Sequence, residues 1–455
     1  MVSRRKNIAL SVVAVASLVV AAGCGSSSTG GSGGGSGPKG SGSKGSNSAG
    51  SLKGQSFTIL GQWTGGEQKA FEAVVNGFDK QTGATGHYTP AAGGNEAGVL
   101  GTKVAGGTPP DIAILSLPGD IAKYAMSKKI YPVSSQTQQV VGQNFSSEWG
   151  KLGSYKGTMY CVPVDASNKS TVWYNTKLFQ NAGISTPPTT WPGLIKDAKT
   201  LSSSGVTVPI SVGGGDGWTL TDWFENVYLR TAGIKKYDAL TQHKIKWTDP
   251  SVATALKTLK QIWGNQQLIG SPSAAVKVPF TNSVDNVFKA KPTSAIVYEA
   301  SFVATTITGD KDPAKVGVTA KVFPFPSING SKPLVEAAGD FGCAFSKNKA
   351  AAQFLAYLAG PQAATTLVST PGSGFLSVNK NVKTSSYNDS TSGQLAQAMV
   401  KVGNNFVFDM SDQAPATFGG TPNQGEWGDL QTFLTNGNVK AAQQQLEKDA
   451  AAAYK

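Results

Sequence analysis

The sequence has few of the side chains on which metal binding and nucleophilic catalysis usually depend. Its 455 residues include three cysteines and two histidines. Neither His87 nor His243 belongs to a metal-binding spacing, which leaves no basis for a zinc site or a nucleophile–histidine pair. No GxxxxGK[ST] phosphate loop occurs, GxSxG occurs only in a glycine and serine tract, and "VGGGDGW" lacks the spacing of a dinucleotide fingerprint. We therefore expect no cofactor and no metal.

Acidic residues are also scarce relative to basic ones. The chain has 40 Lys and Arg against 27 Asp and Glu, a formal net charge of +13. The lysines are scattered, and no basic cluster with interleaved aromatic residues occurs, so nucleic acid is not an expected partner. A basic surface beside anionic lipid is the simpler interpretation.

The N-terminus has the layout of a secretory signal peptide, predicted to be residues 1–23. Basic residues at 4–6 precede an apolar run from 8 to 20. This run is shorter than the roughly 20 residues that a membrane-spanning helix needs. The small residues before Cys24 resemble a bacterial lipobox, although Ala21 stands where a large aliphatic residue is usual. We therefore expect Cys24 to be lipidated.

Residues 24–54 comprise this cysteine and a linker that follows it. The linker is nearly all glycine and serine and has too little apolar surface to fold. Such a chain has a reach of roughly 30 Å. It predicts a flexible tether between the membrane and a folded body.

The body from 55 to 455 is long for one hydrophobic core and predicts two domains. "FTIL" and the run after "TPPD" read as buried strands, and amphipathic helices alternate with them, which indicates an α/β fold. "DPSVATALKTLKQIW" is the clearest helix, with Asp249 as its cap and Pro250 in its first turn. "VTVPISV" reads as a further strand.

Four acidic residues at predicted element ends are candidates for paired-carboxylate chemistry: Glu67, Asp222, Glu299 and Asp340. Two of them could be the acid and base of a glycosidase. They could equally be surface charges or helix caps. Both interpretations are compatible with the sequence.

Tryptophans near these acids suggest a sugar site: Trp63, Trp218, Trp223 and Trp427. Aromatic faces pack against the C–H faces of pyranose rings, and nearby carboxylates bind the hydroxyl groups. A tryptophan on a helix is more often a core residue, so Trp218 and Trp223 taken alone favour the core.

Cys161 and Cys343 are the other two cysteines. Outside the cell, such a pair can form a disulfide bond. Two separate buried thiols fit the spacing equally well.

Six blocks of the body resemble, in order, the extracellular solute-binding proteins of bacterial carbohydrate ABC importers, close to the maltose and α-glucoside binders. The resemblance spans about 57 to 454 and rests on "GTPPDIAILSLPGDIAKYAMSKKIYPV", "VPVDASNKSTVWYNTKLFQNAG", "GWTLTDWFENVYLRTAG", "IVYEASFV", "AGDFGCAFSKNKAAAQFLAYLAGPQAA" and "NNFVFDMSDQAPATFGG".

This resemblance implies a two-lobed periplasmic-binding-protein-like fold of type II, with a ligand cleft between lobes that close about hinge strands. One lobe would take residues 55–162 and 344–395, and the other 163–343 and 396–455. "YCVPVDAS" and "GDFGCAF" match the first two crossings, which would bring Cys161 and Cys343 together and favours a disulfide bond.

The resemblance also implies a set of ligand-binding residues and no catalytic residue. The matching positions are Trp63, Glu67, Asp165, Trp218, Asp222, Trp223, Glu299, Asp340 and Trp427. The expected protein is a monomeric, lipid-anchored receptor on the outer face of the bacterial cytoplasmic membrane, which delivers a sugar to permease subunits. A secreted glycosidase, or the same fold with a peptide or polyamine ligand, are the alternatives.

Overall fold

The structure is a computed structural model that describes residues 51–91, 95–309 and 314–455. The predicted signal peptide, Cys24 and nearly all of the predicted linker lie outside the described residues. Within the described ranges, no helix is both long and apolar enough to cross a bilayer.

Strands within these ranges are mostly short. They are β1 Ser56–Gly61, β2 Thr85–Pro90, β3 Ile112–Leu115, β4 Ser154–Tyr155, β5 Thr158–Met159, β6 Cys161–Pro163, β7 Ser167–Asn168, β8 Thr171–Asn175, β9 Ile210–Ser211, β10 Ile296–Tyr298, β11 Ala320–Pro324, β12 Glu336–Ala338, β13 Phe341–Ala344 and β14 Val407–Phe408.

Helices make up most of the remaining regular structure in the described part of the chain. They are α1 Gly65–Thr82, α2 Glu96–Ala105, α3 Pro118–Met126, α4 Ser135–Asn144, α5 Ser147–Leu152, α6 Thr176–Asn181, α7 Trp191–Ser203, α8 Trp218–Ala232, α9 Ile234–Thr241, α10 Pro250–Trp263, α11 Gln266–Ile269, α12 Pro272–Ala275, α13 Phe280–Phe288, α14 Val303–Gly309, α15 Lys349–Leu358, α16 Pro361–Ser369, α17 Ser390–Val402, α18 Met410–Gln413, α19 Ala416–Gly419, α20 Gly425–Asn436 and α21 Val439–Ala453.

The first core surrounds a five-stranded sheet with the order β2-β1-β3-β13-β6. The strands β2, β1 and β3 are parallel, whereas β13 runs antiparallel to both β3 and β6. Its buried apolar side chains come from residues 52–166 and 337–408. Phe57, Phe71, Phe78 and Phe354 pack against one another between the sheet and the helices α1 and α15.

The second core surrounds a four-stranded sheet with the order β11-β8-β10-β9. Its buried side chains come from 172–328 and 407–450. The helix α10 forms here as its sequence predicts, because Asp249 accepts a hydrogen bond from the Ser251 amide at 2.8 Å and Pro250 occupies the first turn. By contrast, "VTVPISV" forms only the two-residue strand β9, since Pro209 cannot donate a ladder hydrogen bond.

A three-stranded sheet joins the two cores. Its order is β14-β12-β7, and each strand belongs to a different segment of chain that passes between the cores. Such short crossing strands can bend without breaking the larger sheets on either side, which is how a hinge works.

A disulfide bond joins Cys161 of β6 to Cys343 of β13. The two residues face each other across the antiparallel pair, and both are fully buried. The bond therefore lies in the first core, close to the first and second crossings.

Candidate ligand-binding site

A cavity of about 650 Å³ lies between the two cores. Its lining comes from both cores and from the crossing segments. The side chains that matter most for its chemistry are Gln62, Trp63, Glu67, Asp165, Lys169, Trp218, Phe280, Phe302, Thr305, Asp340, Asp412 and Trp427.

Asp340, just after strand β12, is the centre of the polar floor. The indole Nε1 of Trp63 donates a hydrogen bond to Asp340 Oδ2 at 3.0 Å, and Gln62 Nε2 donates to the same carboxylate at 3.4 Å. The Asp340 amide in turn donates to Asp165 Oδ1 at 2.7 Å. Residues from two crossings and from the loop after β1 are therefore joined at one residue, Asp340, through its carboxyl group and its amide.

Trp63 contributes to this floor mainly through its indole N–H. The residue is only 3% exposed, because its ring packs between Phe71 and Phe375 at 4.9 Å from each. A ring held in this way offers a ligand little of its face. Trp63 therefore positions Asp340 more than it stacks on a ligand.

Three carboxyl groups of this floor favour the neutral form more than an exposed carboxyl group does. Burial, reinforced by the charge of Asp340, raises the pKa of Glu67 to about 7, while the Thr305 hydroxyl opposes this rise. Burial raises the pKa of Asp165 to about 7 and, together with the charge of Asp165, raises the pKa of Asp340 well above its usual range. Protonated carboxyl groups can donate as well as accept hydrogen bonds, which suits a ligand rich in hydroxyl groups.

An aromatic wall, formed by Trp218, Phe280 and Phe302, lies on the side of the second core. Ring centroids are 5.1 to 5.7 Å apart, and each side chain borders the cavity. Trp218 is the first residue of α8 and is partly exposed. Trp427 lies beside it, since a Cβ added at Gly217 would be only 2.9 Å from the Trp427 Cβ.

Lys169 places a buried ammonium group in the cavity wall, next to strand β7. Its Nζ is 2.9 Å from Asp222 Oδ1, also contacts Asp409, and lies 5.9 Å from the centre of the Trp218 ring. Burial alone would lower the pKa of Lys169, but the carboxylates Asp222 and Asp409 outweigh burial and raise it. Lys169 is therefore cationic and held in place.

Asp222 and Glu299 lie behind Lys169 rather than in the cavity lining. Burial raises the pKa of Asp222 to about 6, although Lys169 opposes the rise. Burial and the Asp222 charge raise the pKa of Glu299 well above its usual range. Glu299 is thus the neutral partner of a carboxyl pair that supports Lys169 from behind.

Oxygens of Asp222, Glu336 and Asp409 lie within 4.8 Å of one another, a separation that a metal ion could bridge. The ammonium of Lys169 is already bound to two of these three carboxylates. The group therefore has an internal cation of its own and offers poor ligands to a second one.

The structure brings six of the nine predicted ligand-binding residues to the cavity: Trp63, Glu67, Asp165, Trp218, Asp340 and Trp427. Asp222 and Glu299 lie behind its wall. Trp223 does not reach the cavity, because it is 1% exposed and packs in the second core against Trp191, Trp263 and Tyr298. We therefore leave Trp223 out of the proposed site.

Sequence reasoning missed Lys169, Asp412, Phe280 and Phe302. Lys169 had a usable signal, since it follows the predicted crossing "YCVPVDAS" by two residues, and a lysine buried in such a segment is unusual unless it is paired. Phe302 lies in the block "IVYEASFV", three residues after the predicted Glu299, and could have been found there, whereas Phe280 lies in a stretch with no distinctive pattern.

Residues 63–365 match the family model described as bacterial extracellular solute-binding protein. The chain belongs to this family. It is 30% identical over 371 residues to the osmoprotective compounds-binding protein GgtB of Synechocystis sp., covering 80% of this chain and 85% of that protein. It is 28% identical over 386 residues to the alpha-glucosides-binding periplasmic protein AglE of Rhizobium meliloti, covering 81% of each.

Solved structures show the same fold. The bacterial solute receptor AcbH superposes with a TM-score of 0.76 at 18% identity, covering 88% of this chain and 100% of that one. The predicted α/β, two-lobed binding-protein fold is confirmed. Members of this family are binding proteins rather than enzymes, so the prediction of a receptor is confirmed over that of a glycosidase.

Proposed function

We propose that this protein captures a short carbohydrate in the cavity between its two cores and delivers it intact to the permease of an ABC importer. The observation that carries the proposal is the composition of the cavity, in which an aromatic wall accompanies a floor of hydrogen-bonding carboxyl groups. Two of the similar proteins are named for osmoprotective compounds and alpha-glucosides, and AcbH is described as a receptor with an exclusive preference for β-D-galactopyranose. Carbohydrate is the ligand class that fits the cavity and the descriptions of AglE and AcbH.

In this proposal the sugar lies between Trp218 and the carboxyl groups of Glu67, Asp165 and Asp340. A ring face packs on the indole, and the hydroxyl groups bind at the floor. A volume of about 650 Å³ is within the usual range for small-molecule sites and suits a ligand of a few sugar rings. Micromolar affinity would correspond to about 8 kcal/mol.

The ligand stabilises closure because it contacts both lobes at once. The lobes that rotate would be built around the two cores, the first from residues 52–166 and 337–408 and the second from residues 172–328 and 407–450. The closed form is then the species that the permease recognises.

Calorimetry against a panel of mono-, di- and trisaccharides tests this function. We expect saturable heat with at least one sugar, which is recovered unchanged after prolonged incubation. Trp218→Ala should weaken this binding by about tenfold or more, whereas Tyr155→Ala should leave it unchanged, because Tyr155 is a partly exposed aromatic residue that does not line the cavity. Heat with a peptide or polyamine and none with any sugar would overturn the proposal, as would cleavage of the sugar.

The membrane anchor is a separate part of the proposal. Acylated Cys24 would hold the protein at the outer membrane face, and the glycine and serine linker would let the body reach the permease. Metabolic labelling with a fatty acid tests it. We expect label and membrane retention in the wild type and neither in Cys24→Ala, and a labelled Cys24→Ala protein would contradict the assignment.

A further inference from the structure

The two cores touch beside the cavity at a glycine. Gly119 is the second residue of α3 in the first core, where Ile121 and Tyr124 are buried. Ala414 follows α18 and is buried in the second core. A Cβ at Gly119 would overlap the carbonyl oxygen of Ala414 and lie 3.0 Å from that of Gln413.

These obstacles are backbone atoms, which no side-chain rotation can move away. Next to this contact, a Cβ at Gly420 would lie 2.8 Å from Leu117 Cδ1. Leu117 also lines the cavity. The first turn of α3 and the segment 414–420 therefore meet at the shortest distance that their backbones allow.

A second glycine contact joins the cores through other elements. A Cβ at Gly374 would overlap Thr305 Oγ1 and lie 2.8 Å from Thr305 Cβ. Phe375 is buried in the first core, whereas Thr305 lies in α14, whose Val303 and Ile307 are buried in the second core. Gly374 and Thr305 both border the cavity.

We propose that Gly119 and Gly374 set how closely the two cores can approach over the cavity, and so determine the affinity for the ligand. A methyl group at either position would hold the cores apart at the cavity rim while leaving each core intact. The part that concerns affinity rests on the proposed function, since it requires a ligand that contacts both cores. The part that concerns the separation of the cores does not.

Gly119→Ala is the decisive variant. Gly119 has no left-handed φ, and alanine favours helix over glycine by about 1 kcal/mol, so α3 should be no less stable. Gly142→Ala is the matched control, because Gly142 also lies within a helix, α4, but has no atom within 4 Å of its added Cβ.

Small-angle X-ray scattering with and without the sugar panel measures the separation. We expect Gly119→Ala to be more expanded than the wild type and Gly142→Ala to match the wild type. Where the wild type binds a sugar, we expect about a tenfold rise in the apparent Kd of Gly119→Ala, since affinity falls with the fraction of binding-competent molecules. Scattering curves of Gly119→Ala that match the wild type in every condition would overturn the proposal.

Gly374 needs a different control, because its φ of +66° would strain any other residue. Gly107→Ala introduces the same backbone strain without a steric overlap, since Gly107 has a φ of +74° and no atom within 4 Å of its added Cβ. We expect Gly374→Ala to expand the protein, Gly107→Ala to leave it compact, and Thr305→Gly to restore closure of Gly374→Ala. Failure of this rescue would overturn the role of Gly374. A wild type that binds no sugar, combined with an expanded Gly119→Ala, would contradict only the proposed function.

Discussion

The amide of Asp340 donates a 2.7 Å hydrogen bond to the carboxylate of Asp165. This bond ties the second crossing segment to the first, at the floor of the cavity. Both residues are less than a tenth exposed, at 7% and 6%. The link between the two crossings and the proposed ligand-binding floor therefore depend on the same two residues.

Asp165 should make the protein less stable as the pH rises. Burial raises its pKa to about 7 from the ordinary 3.8, so the folded state favours the neutral form. The stabilisation of the folded state by protonated Asp165 is fully present below about pH 4 and is lost as the pH rises through about 7. Asp165→Asn keeps an oxygen that can accept the Asp340 amide but cannot ionise.

We expect the free energy of unfolding of Asp165→Asn to exceed that of the wild type by about 2–4 kcal/mol at about pH 8 and to differ little at about pH 4. Each pKa unit of difference between the folded and unfolded states corresponds to about 1.4 kcal/mol. Urea denaturation across this range measures it. Glu148→Gln, which alters a surface pair with Lys151, is the control. It should not change the slope of the free energy of unfolding against pH. Equal slopes for Asp165→Asn and the wild type would contradict the role assigned to burial.

Lys169 should be one of the costliest charges to remove. Lys169→Met leaves the buried carboxylates of Asp222 and Asp409 without their cation, for which we expect a loss of about 3–5 kcal/mol. Lys236→Met breaks an exposed pair with Asp249 and should cost less than about 1 kcal/mol. Thermal and urea denaturation of both variants measure the difference, and similar losses would show that Lys169 is not held as described.

Trp218 and Trp223 should behave differently although they lie on the same helix. Trp223→Ala removes a ring packed among Trp191, Trp263 and Tyr298, and should cost about 3–5 kcal/mol of stability. Trp218→Ala should leave stability nearly unchanged and weaken sugar binding by about tenfold or more. Denaturation and calorimetry on both variants separate the two effects. A stable Trp223→Ala would place that ring outside the core.

The disulfide bond should be detectable and stabilising. Mass mapping under non-reducing conditions should recover Cys161 and Cys343 in one cross-linked peptide pair. Replacing both residues by alanine should lower the free energy of unfolding by about 2–4 kcal/mol, because the bond restricts the unfolded chain. Two free thiols in the oxidised protein would contradict the bond. Cys24→Ala, which leaves this pair intact, is the control.

Local patterns predicted the fold better than they predicted the site. Asp249 and Pro250 begin α10 by contacts within a few residues, and the apolar spacing of Val252 and Leu256 identifies the buried face, so the sequence contains all that is needed. The α/β class follows from the same kind of local information. The strand predicted at "VTVPISV" is mostly lost because Pro209 interrupts it.

Residues of the site depend on contacts between distant parts of the chain. Lys169 meets partners 53 and 240 residues away, and nothing near it in sequence announces either one. Trp218 and Trp223 are five residues apart, which turns them about 140° from each other around α8. Only the packed structure shows that the first faces the cavity and the second faces the core.

The bond between Cys161 and Cys343 also closes the intervening polypeptide into a covalent ring. The two cysteines are 182 positions apart in the sequence. Every residue of the second sheet belongs to this ring. A single proteolytic cut anywhere within it would open the loop without releasing a fragment, until the sulfur bridge is reduced. The segment that contributes Trp218, Phe280 and Phe302 is thus closed into a loop by a bond that lies in the first core, whereas residues 407–450 of the second core lie outside this loop.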